Sequence, residues 1–193
     1  MNPLHIGFAL CGSFCTFSQV IPQLEALAEE GHDLYPIMSF NAAALDTRFG
    51  RAEDHIRRIE AACGRKIIMT LPCAEPIGPQ KLLDILIIEP CTGNTLAKLA
   101  GGVADTPVTL AAKSHLRNAR PLLIAVSTND ALAGAAKNIG QLQNCKNVYF
   151  IPYRQDDSEH KPTSVVADFS LTKEAMLRAL EGKQLQPVMR QPL

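Results

Sequence analysis

The chain has 193 residues, 19 Lys and Arg against 19 Asp and Glu, 47% hydrophobic residues and 5% aromatics. Such a length holds one full-sized core, and this apolar content with evenly mixed charge excludes a disordered chain. A net charge of zero also excludes the basic footprint of a nucleic-acid binder or of a protein held to an anionic membrane.

The N-terminus, Met1-Asn2-Pro3-Leu4-His5, lacks the basic n-region of a signal peptide. The longest apolar stretches are too short to span a bilayer, so the expectation is a soluble cytoplasmic protein. Residues 4–10 read as a buried strand stopped by Cys11-Gly12-Ser13. Val20, Ile21, Leu24, Leu27 and Ala28 then recur at helical spacing before Gly31. A second strand is expected over residues 33–38, a helix over 47–63 and a third strand over 66–69. A Pro- and Gly-rich stretch leads to a fourth strand over 85–89, followed by helices over 92–100 and 108–116. The fifth strand covers 122–126, a helix lies near 131–142, the sixth strand covers 148–151, and a last helix occupies 171–181.

This alternation predicts an α/β fold: a Rossmann-like, doubly wound parallel sheet of about six strands, flanked by helices in three layers. Residues 1–183 read as one domain, 184–193 as an irregular tail, and 153–163 as a long polar loop. Six cysteines at 11, 15, 63, 73, 91 and 145 include no C-x-x-C pair, so they read as free thiols, and no metal site is expected.

In an open parallel sheet, ligands bind beyond the carboxyl ends of the strands. Four segments fall there: Gly12-Ser13, Ser39-Phe40-Asn41, Pro90 to Thr95, and Ser127-Thr128-Asn129. Each is rich in small hydroxyl or amide residues. Gly12 lets the first turn approach a ligand, and Ser13 stands where a helix N-terminus favours an anion, although a plain turn and cap would look the same. No G-x-G-x-x-G, no acidic residue after the second strand, no G-x-x-x-x-G-K-[ST] and no G-x-S-x-G occurs. A mononucleotide with a terminal phosphate therefore fits better than a dinucleotide or a nucleoside triphosphate. Thr92, Asn94 and Thr95 are candidates for the polar edge of a planar ring, and each also reads as part of a capped helix start.

The run from Pro90 to Asp105 resembles the P-x-[ST]-x-N-T-[IL]-A-K-[IL]-A-x-G-x-A-D signature of the homo-oligomeric flavin-containing cysteine decarboxylase superfamily. That resemblance implies a Rossmann-like flavoprotein, with Gly12, Ser13 and Ser39 at the family's flavin-binding positions; together with the rim segments, the expected FMN contacts are Gly12, Ser13, Ser39, Pro90, Cys91, Thr92, Asn94, Thr95, Ser127 and Thr128. It also implies a homo-oligomer, a trimer or a dodecamer built from trimers. Residues 7–17, 127–132, 168–170 and 180–187 extend the resemblance, over about residues 3–188, to a branch that works with a separate partner subunit. In that branch a dihydropyridine dicarboxylate is oxidised to the aromatic acid with NADP or NAD, in the mother cell of a sporulating bacterium. Nicotinamide chemistry is then expected in the partner, since this chain has no dinucleotide fingerprint.

The superfamily's catalytic His position holds Pro76, and its substrate clamp is replaced by residues 126–130, so no catalytic residue is assigned. Self-sufficient FMN-dependent decarboxylation, prenyl-flavin chemistry and a non-catalytic scaffold remain as alternatives. A dianionic substrate needs cations or N–H donors, and Arg154 and Lys161 in the 153–163 loop are the expected substrate or partner contacts. Arg117 and Arg120 read as the cationic end of a helix, His55 as part of a solvated helix face, and His160 as the one histidine worth testing as an acid or base.

Overall fold

The computed structural model describes residues 3–191. β1 (His5–Leu10) and β2 (Asp33–Met38) run parallel and are joined over one face by α1 (Phe17–Glu29). α1 buries Val20, Ile21, Leu24 and Leu27, the apolar stripe its spacing encodes. Gly31, at φ +85°, turns the chain out of the helix, a conformation that costs glycine little.

Beyond β2 lie a short helix α2 (Phe40–Ala44) and α3 (Ala52–Cys63). The expected helix over 47–63 is thus shorter at its start. Thr47 and Gly50 exchange backbone bonds of 3.0 and 3.1 Å, Gly50 sits at φ +136°, and the helix begins only past this turn, with Glu53 and Asp54 in its first turn. The expected third strand over 66–69 reduces to one bridge. Ile68 donates to the Pro36 carbonyl at 2.9 Å and accepts from the Met38 N–H at 3.0 Å, extending the sheet beyond β2 by a single residue.

The chain continues through α4 (Leu71–Ala74) into β3 (Ile85–Cys91), α5 (Gly93–Ala100) and α6 (Pro107–Arg117). Thr106 and Thr109 close a capping box at the start of α6, with Pro107 in its first turn. There follow β4 (Leu122–Thr128), α7 (Ala136–Gln143), β5 (Val148–Phe150), β6 (Tyr153–Asp157), β7 (Lys161–Ala167) and α8 (Thr172–Leu180).

These strands form one sheet of seven in the order β2-β1-β3-β4-β7-β6, with β5 also on β4. The parallel part is β2-β1-β3-β4-β5. The doubly wound parallel sheet expected from the sequence is present, and an antiparallel hairpin extends it at the β4 edge. Residues 153–163 are not a loop: β6 and β7 form an antiparallel hairpin, and β7 pairs with Ser127 and Thr128 at the end of β4. The outer edge of β4 is therefore shared, β5 taking Leu122, Leu123 and Ile124 and β7 taking the last two residues.

α1, α3 and α8 pack together on one face, and α4, α5, α6 and α7 on the other, so the three layers are present. β3 is buried along its whole length and β4 along all but its last residue, as double-sided cover requires. Each fully buried Ile, Leu or Val there contributes roughly 1.5–3 kcal/mol of hydrophobic stabilisation. Among the described residues past α8, Gln184 bonds both backbone groups of Phe150, at 2.8 and 2.6 Å, and Met189 makes a single parallel bridge to Tyr153. Among the described residues no helix is long and apolar enough to cross a membrane.

Candidate functional site

The sheet order reverses at β1, which has β2 on one side and β3 on the other, and such a switch point opens a crevice at the carboxyl ends of the strands. A cleft of about 890 Å³ lies there. Its floor is made by Gly12 and Ser13 after β1, Thr92 after β3, and Ser127 and Thr128 at the end of β4. One wall is the hairpin, with Arg154, Asp156, Lys161 and Ser164. The Asp168-Phe169-Ser170 turn closes one end, and Phe14, Phe49 and the Ser18, Gln19 and Gln23 face of α1 line the rest.

Three of the four rim segments meet directly. Ser13 Oγ and Ser127 Oγ lie 2.7 Å apart, joining the first and the fifth predicted strands across 114 positions of sequence. Ser13 stands before a 3-10 turn (Phe14–Thr16) rather than at the first residue of α1, and its hydroxyl makes no capping bond, which leaves it for Ser127. Thr92 caps α5, accepting from the Thr95 N–H at 3.4 Å, and donates to Thr95 Oγ1 at 3.2 Å. Thr95 in turn donates to Cys11 Sγ at 3.2 Å. Thr128 donates to Asp130 Oδ1 at 2.6 Å, and a Cβ on Gly93 would stand within 2.8 Å of both side chains, so glycine there allows the β4 end to lie against the start of α5.

Of the residues singled out in the sequence, Gly12, Ser13, Thr92, Ser127, Thr128, Asn129, Arg154 and Lys161 line the cleft. The others stand behind or beside it. Ser39 caps α2 by accepting from the Ala42 N–H at 3.3 Å, and its own N–H bonds the Leu10 carbonyl next to the first turn. Pro90, Cys91 and Thr95 are buried, and Asn94 is exposed on α5. Burial pushes the Cys11 thiol up to about 11 and raises Cys91 well above 9, so both are protonated, inert thiols.

The two wall cations are already paired. Arg154 donates to Asp168 Oδ2 at 3.2 Å, and Ser170 donates to the other oxygen of Asp168 at 2.6 Å. Lys161 lies 3.1 Å from Asp156, whose hydrogen bond raises its pKa. The wall therefore carries two positive and two negative groups. Asp156 could be read as a loop charge able to hold a cation, but its pairing with Lys161 and that of Asp168 with Arg154 come only from the fold.

The histidines lie elsewhere. His160 is in the hairpin turn, exposed and held by Asp157 at 3.1 Å, and does not reach the cleft. His55 is not on a solvated face: its ring packs edge-on to Phe17 at 5.1 Å, its Nε2 is buried without a partner, and burial lowers its pKa. His115 is buried against the Pro121 carbonyl at 3.0 Å, and burial pushes it down to about 4. Arg120 lies past the end of α6 and bonds the carbonyls of Leu83 and Lys81 before β3, a structural role other than the expected helix-end cation.

Residues 1–175 match the family described as Flavoprotein. The chain belongs to the Flavoprotein family. Within this family it is 43% identical over 185 residues to the B subunit of dipicolinate synthase of Bacillus subtilis (strain 168), covering 96% of this chain and 92% of that protein. The crystal structure of the dipicolinate synthase B subunit from Bacillus halodurans C superposes with a TM-score of 0.90 at 40% identity, over 98% of this chain and 97% of that one. The FMN-dependent cysteine decarboxylase SpaF shares the fold, with a TM-score of 0.65 at 23% identity over 91% of this chain and 97% of that one. The flavoprotein fold expected from the strand order and the Pro90 to Asp105 signature is thus present, and the chain is a homologue of the dipicolinate synthase B subunit.

Proposed function

We propose that the cleft is a flavin mononucleotide site. We further propose that the chain works with the A subunit of dipicolinate synthase to oxidise dihydrodipicolinate to dipicolinate. What carries the reading is the convergence of Ser13, Thr92, Ser127 and Thr128 on one floor, with Ser13 and Ser127 in direct contact. Family membership and 43% identity to the Bacillus subtilis relative support it further.

The lining suits FMN chemically. Hydroxyls of Ser13, Thr92, Ser127 and Thr128, together with the turn at Gly12, match the hydroxyl and phosphate oxygens of a ribityl phosphate. Phe14, Phe49 and Val165 offer apolar surface for a planar ring. Ser39, Pro90, Cys91, Asn94 and Thr95 belong to the segments that hold this floor in place, Thr95 by accepting the Thr92 hydroxyl proton. When bound, FMN supplies a ring that can accept or donate electrons. This chain's own part is to bind and orient.

Aromatising the dihydropyridine removes a hydride and a proton. The hydride passes to an NADP or NAD held by the A subunit, and the proton leaves to water. The substrate carries two carboxylates, and Arg154 and Lys161 face the cleft as their partners. Both cations must exchange an internal carboxylate for the substrate's, so binding is local and geometric, with no excess positive charge on the wall. A specific observation favours a second reading, a scaffold that takes no acid–base role. Among the described residues no histidine lines the cleft, and both of its carboxylates are paired with cations.

The test is to combine the chain with its candidate A subunit and follow dipicolinate absorbance. Turnover only with both proteins supports the division of labour. Turnover by this chain alone with a nicotinamide cofactor contradicts it.

A further inference from the structure

β3 is apolar except for Glu89, which lies between Ile88 and Pro90 and is fully buried. Its carboxyl oxygens both lie 2.9 Å from Thr172 Oγ1 at the start of α8. The same hydroxyl lies 2.7 Å from the carbonyl of Phe169. Thr172 has a single hydroxyl proton, and two acceptors compete for it. The Phe169 carbonyl also accepts the backbone N–H of Thr172, but an ionised Glu89 would have that one shared hydroxyl proton as its hydrogen-bond donor and no cation to balance its buried charge. Placing a proton on Glu89 satisfies every group: the acid donates to Thr172 Oγ1, and Thr172 donates to Phe169.

We infer that Glu89 is a neutral carboxylic acid in the folded chain and the positioning residue of the cleft's end wall. Its proton goes to Thr172, whose own proton joins the Thr172 backbone N–H on the Phe169 carbonyl in holding the Phe169–Leu171 turn. That turn follows Asp168, the partner of Arg154, and carries Ser170, the second donor to Asp168. The acid thus acts through Thr172 on the side chains that face the cleft, without touching the cleft itself. This holds whatever the cleft binds.

The surroundings agree. Burial pushes Glu89 up to about 8 against the opposing hydrogen bond of Thr172, and no charged group contributes. β4 carries no charged residue. Cys11, just past β1, and Cys91, at the end of β3, are thiols held protonated by burial. The charged residues of α1 and α8 include Glu25, paired outward with Arg58, and Lys173, paired with Glu30 just past α1. Arg178 pairs with Glu181, and Glu29 and Glu174 are exposed.

Two measurements on the full chain test this. Infrared spectra near neutral pH are expected to show the carbonyl stretch of a protonated carboxylic acid, shifted in D2O and absent from Glu89→Gln. Glu89's contribution to thermal stability is expected to fall as pH rises from 4.5 through about 8, because the unfolded chain has released a proton that the folded chain keeps, and it is read as the difference between the parent and Glu89→Gln profiles. Glu89→Gln is expected to lack that segment of the pH profile. For the positioning role, Thr172→Val and Glu89→Ala should speed hydrogen exchange across residues 168–171, while Glu89→Gln restores protection. Should Glu89→Ala fail to fold, Thr172→Val alone carries this arm. Absence of the acid band, or the same pH slope in Glu89→Gln, overturns the neutral acid. Unchanged exchange in Thr172→Val overturns the positioning role.

Discussion

Two glycines make a matched pair of perturbations, because the same added methyl meets opposite surroundings. A Cβ on Gly93 would stand 2.7 Å from Thr128 Oγ1 and 2.8 Å from Asp130 Oδ1, well inside van der Waals contact. Those oxygens are tied to each other at 2.6 Å, so they must shift as a unit or lose their bond. Overpacking of this kind costs roughly 1–3 kcal/mol, while replacing Gly by Ala in a helix returns about 0.5–1 kcal/mol. Gly93→Ala is therefore expected to destabilise by about 1–2 kcal/mol. Gly140 lies within α7 with nothing inside 4 Å of its would-be Cβ, so Gly140→Ala keeps only the helical gain. At about 2–4 °C per kcal/mol for a chain of this size, Gly93→Ala should melt roughly 3–6 °C below the parent and Gly140→Ala about 1–3 °C above it. Because Thr128 is part of the cleft floor, Gly93→Ala should also weaken FMN by about 5-fold or more, and Gly140→Ala should leave it unchanged. Circular-dichroism melts and flavin fluorescence read both effects. If Gly93→Ala melts with Gly140→Ala and binds FMN as the parent does, the close packing of the β4 end on α5 plays no part in the site.

Ser127→Ala removes the partner of Ser13 and is expected to lower FMN affinity by about 3–10-fold, near 1 kcal/mol, with little change in melting. Arg154→Met leaves Asp168, only 13% exposed, without its cation, and should destabilise by about 1–2 kcal/mol, whereas Lys161→Met, at an exposed residue, should not. In the two-subunit assay each should raise KM for the dicarboxylate more than it lowers kcat, and equal losses in kcat and kcat/KM would instead assign these cations to the transition state. His115 is neutral in the folded chain down to about 4, while in the unfolded chain it takes a proton below about 6.5. Its contribution is full above 6.5 and lost as pH falls through 4, on the order of 3 kcal/mol, and chemical denaturation of His115→Gln at pH 4.5 and 7 should show a smaller pH difference than the parent.

The parallel half of the sheet was legible because its strands are apolar on both faces and its helices carry clean stripes, as at Val20, Ile21, Leu24 and Leu27 in α1. The hairpin was not, because Arg154, Gln155, Asp156 and Asp157 face the cleft or solvent and have no apolar alternation to mark a strand. Its pairing is paid for by backbone bonds to β7 and by the end of β4, contacts that no local pattern announces. The β-branched run Thr163, Val165 and Val166 was the available signal. Residues 66–69 failed in the opposite sense, with a plausible apolar run that makes one bridge.

At the site, hydroxyls after strand ends could be read one by one, since each strand end points to the same rim. Ion pairs across the cleft could not, since Arg154 and Asp168 are 14 positions apart on different elements. Glu89 had a visible mark, an acidic residue in an otherwise apolar strand, but only its burial under Thr172 gives that mark a meaning.

Titrating the purified chain with FMN decides whether the cleft is a flavin site. Saturable quenching of flavin fluorescence with a shift in its absorbance is expected, with one FMN per chain, weaker binding of riboflavin, and loss of affinity in Ser127→Ala and Gly93→Ala. Flavin spectra that stay unchanged at every protein concentration would contradict it.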